Sequence, residues 1–171
     1  MRLLFDEITG KARRYPIADS QWFPVSEVCS VIAVTATICV FRQDDETVIL
    51  DGEIKGRCTV LCDRCGESYE ENLQSEFKYL ATVRGEKSLE VTDQECSDED
   101  ALTLHLAEPI IEVDEILREQ AVLAVPLKKL CSEDCRGICA GCGAVLNREF
   151  CRCQPEKNDS PFAVLEKMRN R

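Results

Sequence analysis

"VILDGEIKGRCTVLCDRCGESYEENLQSEFKYLATV", residues 48–83, reads as two half-buried strands joined by a cysteine-bearing turn. In the first half Val48, Leu50, Ile54, Cys58 and Val60 share one parity, while Asp51, Glu53, Lys55, Arg57 and Thr59 take the other. That period of two belongs to a strand with one face on a core. The alternation resumes with Tyr69, Leu73, Phe77, Ala81 and Val83 inward and Glu70, Asn72, Gln74, Glu76 and Lys78 outward. Between the halves stands "CDRCG", residues 62–66, where the chain must reverse. Just upstream, "VCSVIAVTATICVF", residues 28–41, is β-branched and apolar at both parities, which predicts a strand buried on both faces. The polar "RQDDET" suits the turn that leads from it. Three sequential antiparallel strands are therefore expected.

Downstream, residues 84–108 are acidic and poor in large apolar groups, so they read as an exposed loop. In "IEVDEILREQAVLAVP" the positions Val113, Ile116, Leu117, Ala121 and Ala124 fall at helical spacing, Asp114 and Glu115 suit a first turn, and Pro126 marks the end. A helix is expected over about 112–124. "SPFAVLEKMRNR" suggests a short closing helix capped by Ser160, with Pro161 at its first position. The expected fold class is α+β: an antiparallel sheet or partly closed barrel, one principal helix, and a cysteine-rich zinc-binding tail. Residues 1–130 would form the core domain, and residues 131–171 a tail packed upon it.

The formal net charge of the 171 residues is -11, with residues 131–171 at +1 and the rest at -12. Such a balance argues against a broad electrostatic grip on nucleic acid and favours a basic partner. The amino terminus lacks the apolar run of a secretory signal, and the longest apolar stretch is shorter than the ~20 residues of a membrane span. A cytoplasmic protein is expected, and in a reducing compartment clustered cysteines are read as metal ligands before disulfides.

Of twelve cysteines, Cys29, Cys39, Cys58 and Cys96 have no neighbour at ligand spacing and read as ordinary thiols. The other eight form pairs: Cys62 with Cys65, Cys131 with Cys135, Cys139 with Cys142, and Cys151 with Cys153. Structural zinc takes four ligands in a tetrahedron, commonly from two short-spaced pairs, so eight thiolates make two sites. In "CDRCG" and "CAGCG" a glycine follows the second cysteine, where a left-handed backbone turns amides back toward sulfur. Closeness in sequence groups Cys139, Cys142, Cys151 and Cys153 around the ribbon "GAVLNREF", which leaves Cys131 and Cys135 to meet Cys62 and Cys65. A single ribbon with spare thiols is the alternative, and four thiolates suit iron as well as zinc. The lone histidine, His105, has no ligand-spaced partner, so the sites read as structural rather than catalytic.

No phosphate loop, dinucleotide fingerprint or nucleophile elbow is present, and an enzyme is the least supported class. Arg64 at a knuckle tip, with Arg148 and Arg152, are weak candidates for nucleic-acid or partner contact. Lys167, Arg169 and Arg171 extend a sparse basic strip.

The order "CTVLCDRCGESYE", a helix ending "AVLAVPL", then "LCSEDCRGICAGCGAVLN" with "CRC" and the closing "SPFAVLEKMRNR" resembles the YceD family of bacterial and plastid large ribosomal RNA subunit accumulation proteins. The resemblance implies a non-enzymatic role in large-subunit assembly and 23S ribosomal RNA accumulation, with no catalytic residues. Combined with the charge, it implies contact with a basic ribosomal protein or a precursor of the large subunit. The rival readings are a protein whose zinc thiolates sense oxidants and a zinc-stabilised regulator that binds nucleic acid directly.

Overall fold

The structure, a computed structural model, describes residues 1–24, 30–83 and 102–153. In chain order the elements are β1 (Arg2–Leu4), a 3-10 turn (Phe5–Glu7), β2 (Arg13–Ile17), β3 (Ser30–Arg42), β4 (Thr47–Leu61), β5 (Ser68–Thr82), β6 (Thr103–His105), β7 (Ile110–Glu112) and α1 (Val113–Ala124). Strands β2-β3-β4-β5-β6 form one sheet, and β1 with β7 a two-stranded ladder.

The alternation of residues 48–83 becomes the β4–β5 hairpin. Its register sets even positions of β4 opposite odd ones of β5, as in Leu50↔Tyr79 and Val48↔Ala81. Val48, Leu50, Ile54 and Cys58 are fully buried. Gly52 and Gly56 lie on this same face. A Cβ on Gly52 would sit 2.1 Å from the ring of Phe77, its cross-strand partner, and one on Gly56 would sit 2.5 Å from the Ala33 carbonyl oxygen. The "RQDDET" turn forms as expected, with Asp44 Oδ1 accepting from Glu46 N at 2.9 Å.

Strand β3 departs from the sequence reading, because it buries one face only. Val34, Ala36, Ile38 and Val40 are buried, whereas Ala33 and Thr35 are exposed and Thr37, Cys39 and Phe41 half-buried. The pairing steps from Val31↔Cys58 to Ala33↔Arg57, so Ile32 is the extra residue of a β-bulge. A bulge switches the inward parity. Val31 packs on the core before it and the even positions after it, which puts apolar residues at both parities without double burial.

The helix α1 lies within the expected bounds and buries Val113, Ile116, Leu117 and Ala121. It also buries Gln120, whose Oε1 accepts from Ser75 Oγ at 3.2 Å and whose Nε2 donates to Tyr79 Oη at 2.5 Å. Four short strands escaped the sequence reading. β1 and β7 pair so that Phe5 N donates to the Pro109 carbonyl at 3.0 Å, and Leu3, Phe5, Ile8, Trp22 and Phe23 join the core. β2 pairs antiparallel to β3.

β6 corrects the view of residues 84–108 as loop throughout. It runs parallel to β5, with Leu104 and Leu106 against the core. Residues 84–101 lie outside the described ones, as do Cys29, Cys96 and the expected helix after Ser160. The sheet is mixed, and among the described residues β2 and β6 are its unjoined edges.

Candidate metal centres at the hairpin end

Cys62 follows β4 and Cys65 precedes β5, so the longest hairpin carries both at its tip. Cys62 N donates to the Glu67 carbonyl at 2.9 Å and Gly66 N to the Cys62 carbonyl at 2.8 Å. The tail uses the same turn again. Cys139 N donates to the Ala144 carbonyl at 2.8 Å and Gly143 N to the Cys139 carbonyl at 2.9 Å. Gly66 and Gly143 have φ of 71° and 74°, in the left-handed region where a Cβ is disfavoured.

A hydrogen-bonded frame fastens the tail to the hairpin tip. Asp63 N donates to the Lys129 carbonyl at 2.8 Å, and Lys129 N returns a bond to Asp63 Oδ2 at 2.7 Å. Arg64 Nη1 donates to the carbonyls of Glu133 and Cys135 at 3.1 and 2.9 Å. Cys131 and Cys135 are thereby brought over Cys62 and Cys65. Sulfur separations are 3.8 Å for Cys62 and Cys135 and 3.7 Å for Cys65 and Cys131. Cys139, Cys142, Cys151 and Cys153 form a second group, with 3.2 Å between the Cys139 and Cys151 sulfurs and 3.7 Å between those of Cys142 and Cys151.

In each group the four sulfurs lie within 4.8 Å of one another, and either group could hold a metal ion. The donor set fits one. Thiolates about 2.3 Å from a tetrahedral centre are about 3.8 Å apart, whereas a disulfide needs about 2.0 Å. The described cysteines are all unbridged. The groups differ in burial: Cys62, Cys65 and Cys135 are buried, whereas Cys142 and Cys153 are exposed.

Residues 50–169 match the family model described as "Large ribosomal RNA subunit accumulation protein YceD". The chain belongs to the YceD family. Two relatives carry the name "Large ribosomal RNA subunit accumulation protein YCED homolog 1, chloroplastic". That of Arabidopsis thaliana is 29% identical over 156 residues, covering 80% of this chain and 48% of the relative. That of Zea mays is 28% identical over 128 residues, covering 62% of this chain and 44% of the relative. The chain spans about half the length of the curated relatives it matches. No solved structure matches it.

The segment matching the YceD family contains both sulfur groups, and their electrostatics follow from crowding. In the first group the Cys131 amide, pointing at the Cys62 sulfur, pulls that thiol down to about 6. The Asn147 side-chain amide lowers Cys135. Cys131 is pushed up to about 12, because it keeps its proton to donate to Cys135 and is also partly desolvated. In the second group the Cys142 amide draws Cys139 down to about 6, while Cys153 rises to about 12 beside the Cys142 thiol. Each group therefore mixes thiolates with thiols that donate to them, and a cation displacing those protons finds a sulfur cage already assembled.

Two of the three arginines singled out in the YceD-family sequence have intramolecular partners. Arg64 clamps the tail, and Arg148 Nη1 pairs with Glu67 Oε1 at 2.9 Å. Arg152 is exposed, and Lys167, Arg169 and Arg171 lie outside the described residues. His105 is exposed on β6. Asp63 and Asn147 were missed by sequence reasoning. Their only signal was residue type, since Asp and Asn in loops bond to nearby backbone amides. Among the described residues, no helix is long and apolar enough to cross a membrane.

Proposed function

We propose that this chain is a non-enzymatic cytoplasmic factor that supports 23S ribosomal RNA accumulation and large-subunit assembly, with one structural zinc ion holding its tail to its sheet and a second closing the ribbon of the tail. The observation that carries this reading is the family match over residues 50–169, a span that includes all eight paired cysteines. Cys62, Cys65, Cys131 and Cys135 would hold one ion and Cys139, Cys142, Cys151 and Cys153 the other. Four thiolates complete a zinc coordination shell and leave no open position for a substrate or reactive water, which favours a structural role over a catalytic one.

The net charge of -11, with Asp114, Glu115 and Glu119 exposed along α1, favours a basic partner such as a ribosomal protein or a large-subunit precursor particle. Depletion of the protein should lower 23S relative to 16S ribosomal RNA. Affinity capture from native lysate, with metal content measured on the same sample, should recover ribosomal proteins and about two zinc ions per chain. An unchanged ribosomal RNA ratio with no ribosomal protein captured would overturn the assignment, and iron in place of zinc would correct the metal.

A second reading is favoured by the exposure of Cys142 and Cys153. Oxidation of accessible thiolates releases zinc, so the second centre could report oxidants while the buried first centre persists. Peroxide that releases one zinc and alters 23S accumulation supports this reading, and zinc retained under peroxide removes it.

A further inference from the structure

Asn147 belongs to the ribbon between Cys142 and Cys151, yet its side chain serves the other sulfur group. Its Nδ2 donates to Cys135 Sγ at 3.1 Å and approaches Cys131 Sγ at 3.9 Å. Its Oδ1 accepts from Arg136 N at 2.8 Å, which fixes the direction of the amide. The same ribbon is tied to the first group at other points. Val145 packs against the cluster of Cys62, Cys65 and Cys135, Leu146 N donates to the Gly137 carbonyl at 2.9 Å, and Ile138 bridges to Val145. The loop that spaces the ligands of the second group is thus part of the wall of the first.

From this juxtaposition we infer that Asn147 is a positioning residue that couples the two thiolate centres, so that a metal ion in one raises the affinity of the other. The inference rests on the reading of both groups as metal centres. An ion at the first centre fixes Cys135 in place as a thiolate acceptor, so the Asn147–Cys135 bond is held in a single geometry. That bond anchors the ribbon carrying Cys142 at one end and Cys151 at the other, which reduces the ordering left for the second centre to complete. Linkage makes the effect reciprocal: whatever factor the first ion adds to the second, the second adds to the first. Arg148, paired with Glu67 beside Cys65, fastens the ribbon without touching sulfur, so the sulfur-directed link is assigned to Asn147.

The test is native mass spectrometry of the full reduced chain, demetallated and then given one equivalent of zinc. The populations of empty, one-zinc and two-zinc protein are compared between wild type and Asn147→Asp. That variant keeps the oxygen that serves Arg136 and loses the donor to sulfur. Asn147→Ala checks that added charge is not the cause, and both variants keep all eight thiols.

The diagnostic quantity is the square of the one-zinc population divided by the product of the other two. It rises by the coupling factor when coupling is lost, about tenfold for loss of a hydrogen-bond donor to a metal ligand. A simple weakening of a tighter first centre moves it the other way. A ratio that is unchanged or lowered in both variants, while wild type binds two ions, overturns the coupling alone. A wild-type chain that binds no metal overturns the metal reading and the coupling with it.

Discussion

Asp63 and Lys129, 66 residues apart in sequence, hold each other by two backbone-directed bonds, Asp63 N to the Lys129 carbonyl at 2.8 Å and Lys129 N to Asp63 Oδ2 at 2.7 Å. The pair joins hairpin tip to tail without using sulfur, so part of the junction is independent of metal. The accompanying ion pair, Lys129 Nζ to Asp63 Oδ1 at 3.7 Å, is partly exposed and adds little. Asp63→Ala leaves the Lys129 amide without its acceptor and should cost about 1–2 kcal/mol in denaturant unfolding. Asp63→Asn, which keeps an oxygen, should cost less. Equal losses from the two would show that the ion pair, not the backbone bond, carries the stabilisation.

The two sulfur groups differ in what their loss removes. The first joins segments that are distant in sequence and has three buried thiols, whereas the second closes a loop of the tail alone and exposes Cys142 and Cys153. Zinc at about a thousand times its dissociation constant stabilises a protein by about 4 kcal/mol, so a chelator should lower the melting temperature markedly. Cys135→Ser should reproduce most of that loss, because it also leaves buried thiolates uncompensated. Cys153→Ser should reproduce only a small part. Melting curves of the two variants with and without chelator measure this, and a larger loss from Cys153→Ser would reverse the assignment of the first group as the main staple.

How far these features were legible in the sequence follows from which interactions are local. Period-two patterning made β4 and β5 readable to their inward side chains, and helical spacing made α1 readable to within a residue at its amino-terminal end, because one buried face repeats over many positions. The left-handed Gly66 and Gly143 were readable because each follows a CxxC pair. Strands β1, β6 and β7 have three residues each, too few for a period to register, and they exist only through partners distant in the chain. The bulge at Ile32 set Val31 inward at the opposite parity, and the outward Ala33, Cys39 and Phe41 completed a pattern that imitated double burial. Asp63 and Asn147 act on groups brought near by the fold, and nothing in their immediate neighbours marks them.

Gly56 tests how tightly the sheet is built. Its missing side chain faces backbone, 2.5 Å from the Ala33 carbonyl oxygen to an added Cβ, so Gly56→Ala must separate β3 from β4 next to the bulge. A loss of about 1–3 kcal/mol is expected from such overpacking. Gly52→Ala meets the far end of the half-buried Phe77 ring, which can swing outward, and should cost less despite the shorter contact. Urea unfolding of the two variants gives the order directly, and a smaller loss at Gly56 would mean that the strands open there without strain.

Tyr69 and Tyr79, both on β5, should respond oppositely to loss of their hydroxyls. Tyr69 Oη is buried and makes no well-formed hydrogen bond among the described residues, and burial, aided by the nearby Glu71 carboxylate, pushes its pKa from 10.0 up to about 12. The folded protein keeps this proton up to about 12 while the unfolded chain loses it near 10, so the contribution of Tyr69 is complete below pH 10 and is lost as pH climbs toward 12. Tyr69→Phe removes an unsatisfied buried hydroxyl along with that alkaline sensitivity. It should therefore stabilise the protein by about 1 kcal/mol at neutral pH and flatten the decline in melting temperature above pH 10. Tyr79 Oη instead accepts from the buried Gln120, so Tyr79→Phe strands an amide and should destabilise by about 1–2 kcal/mol. Melting temperatures from pH 7 to pH 11 separate the two, and a Tyr69→Phe variant that melts lower at neutral pH would show that the Tyr69 hydroxyl has a partner in solution.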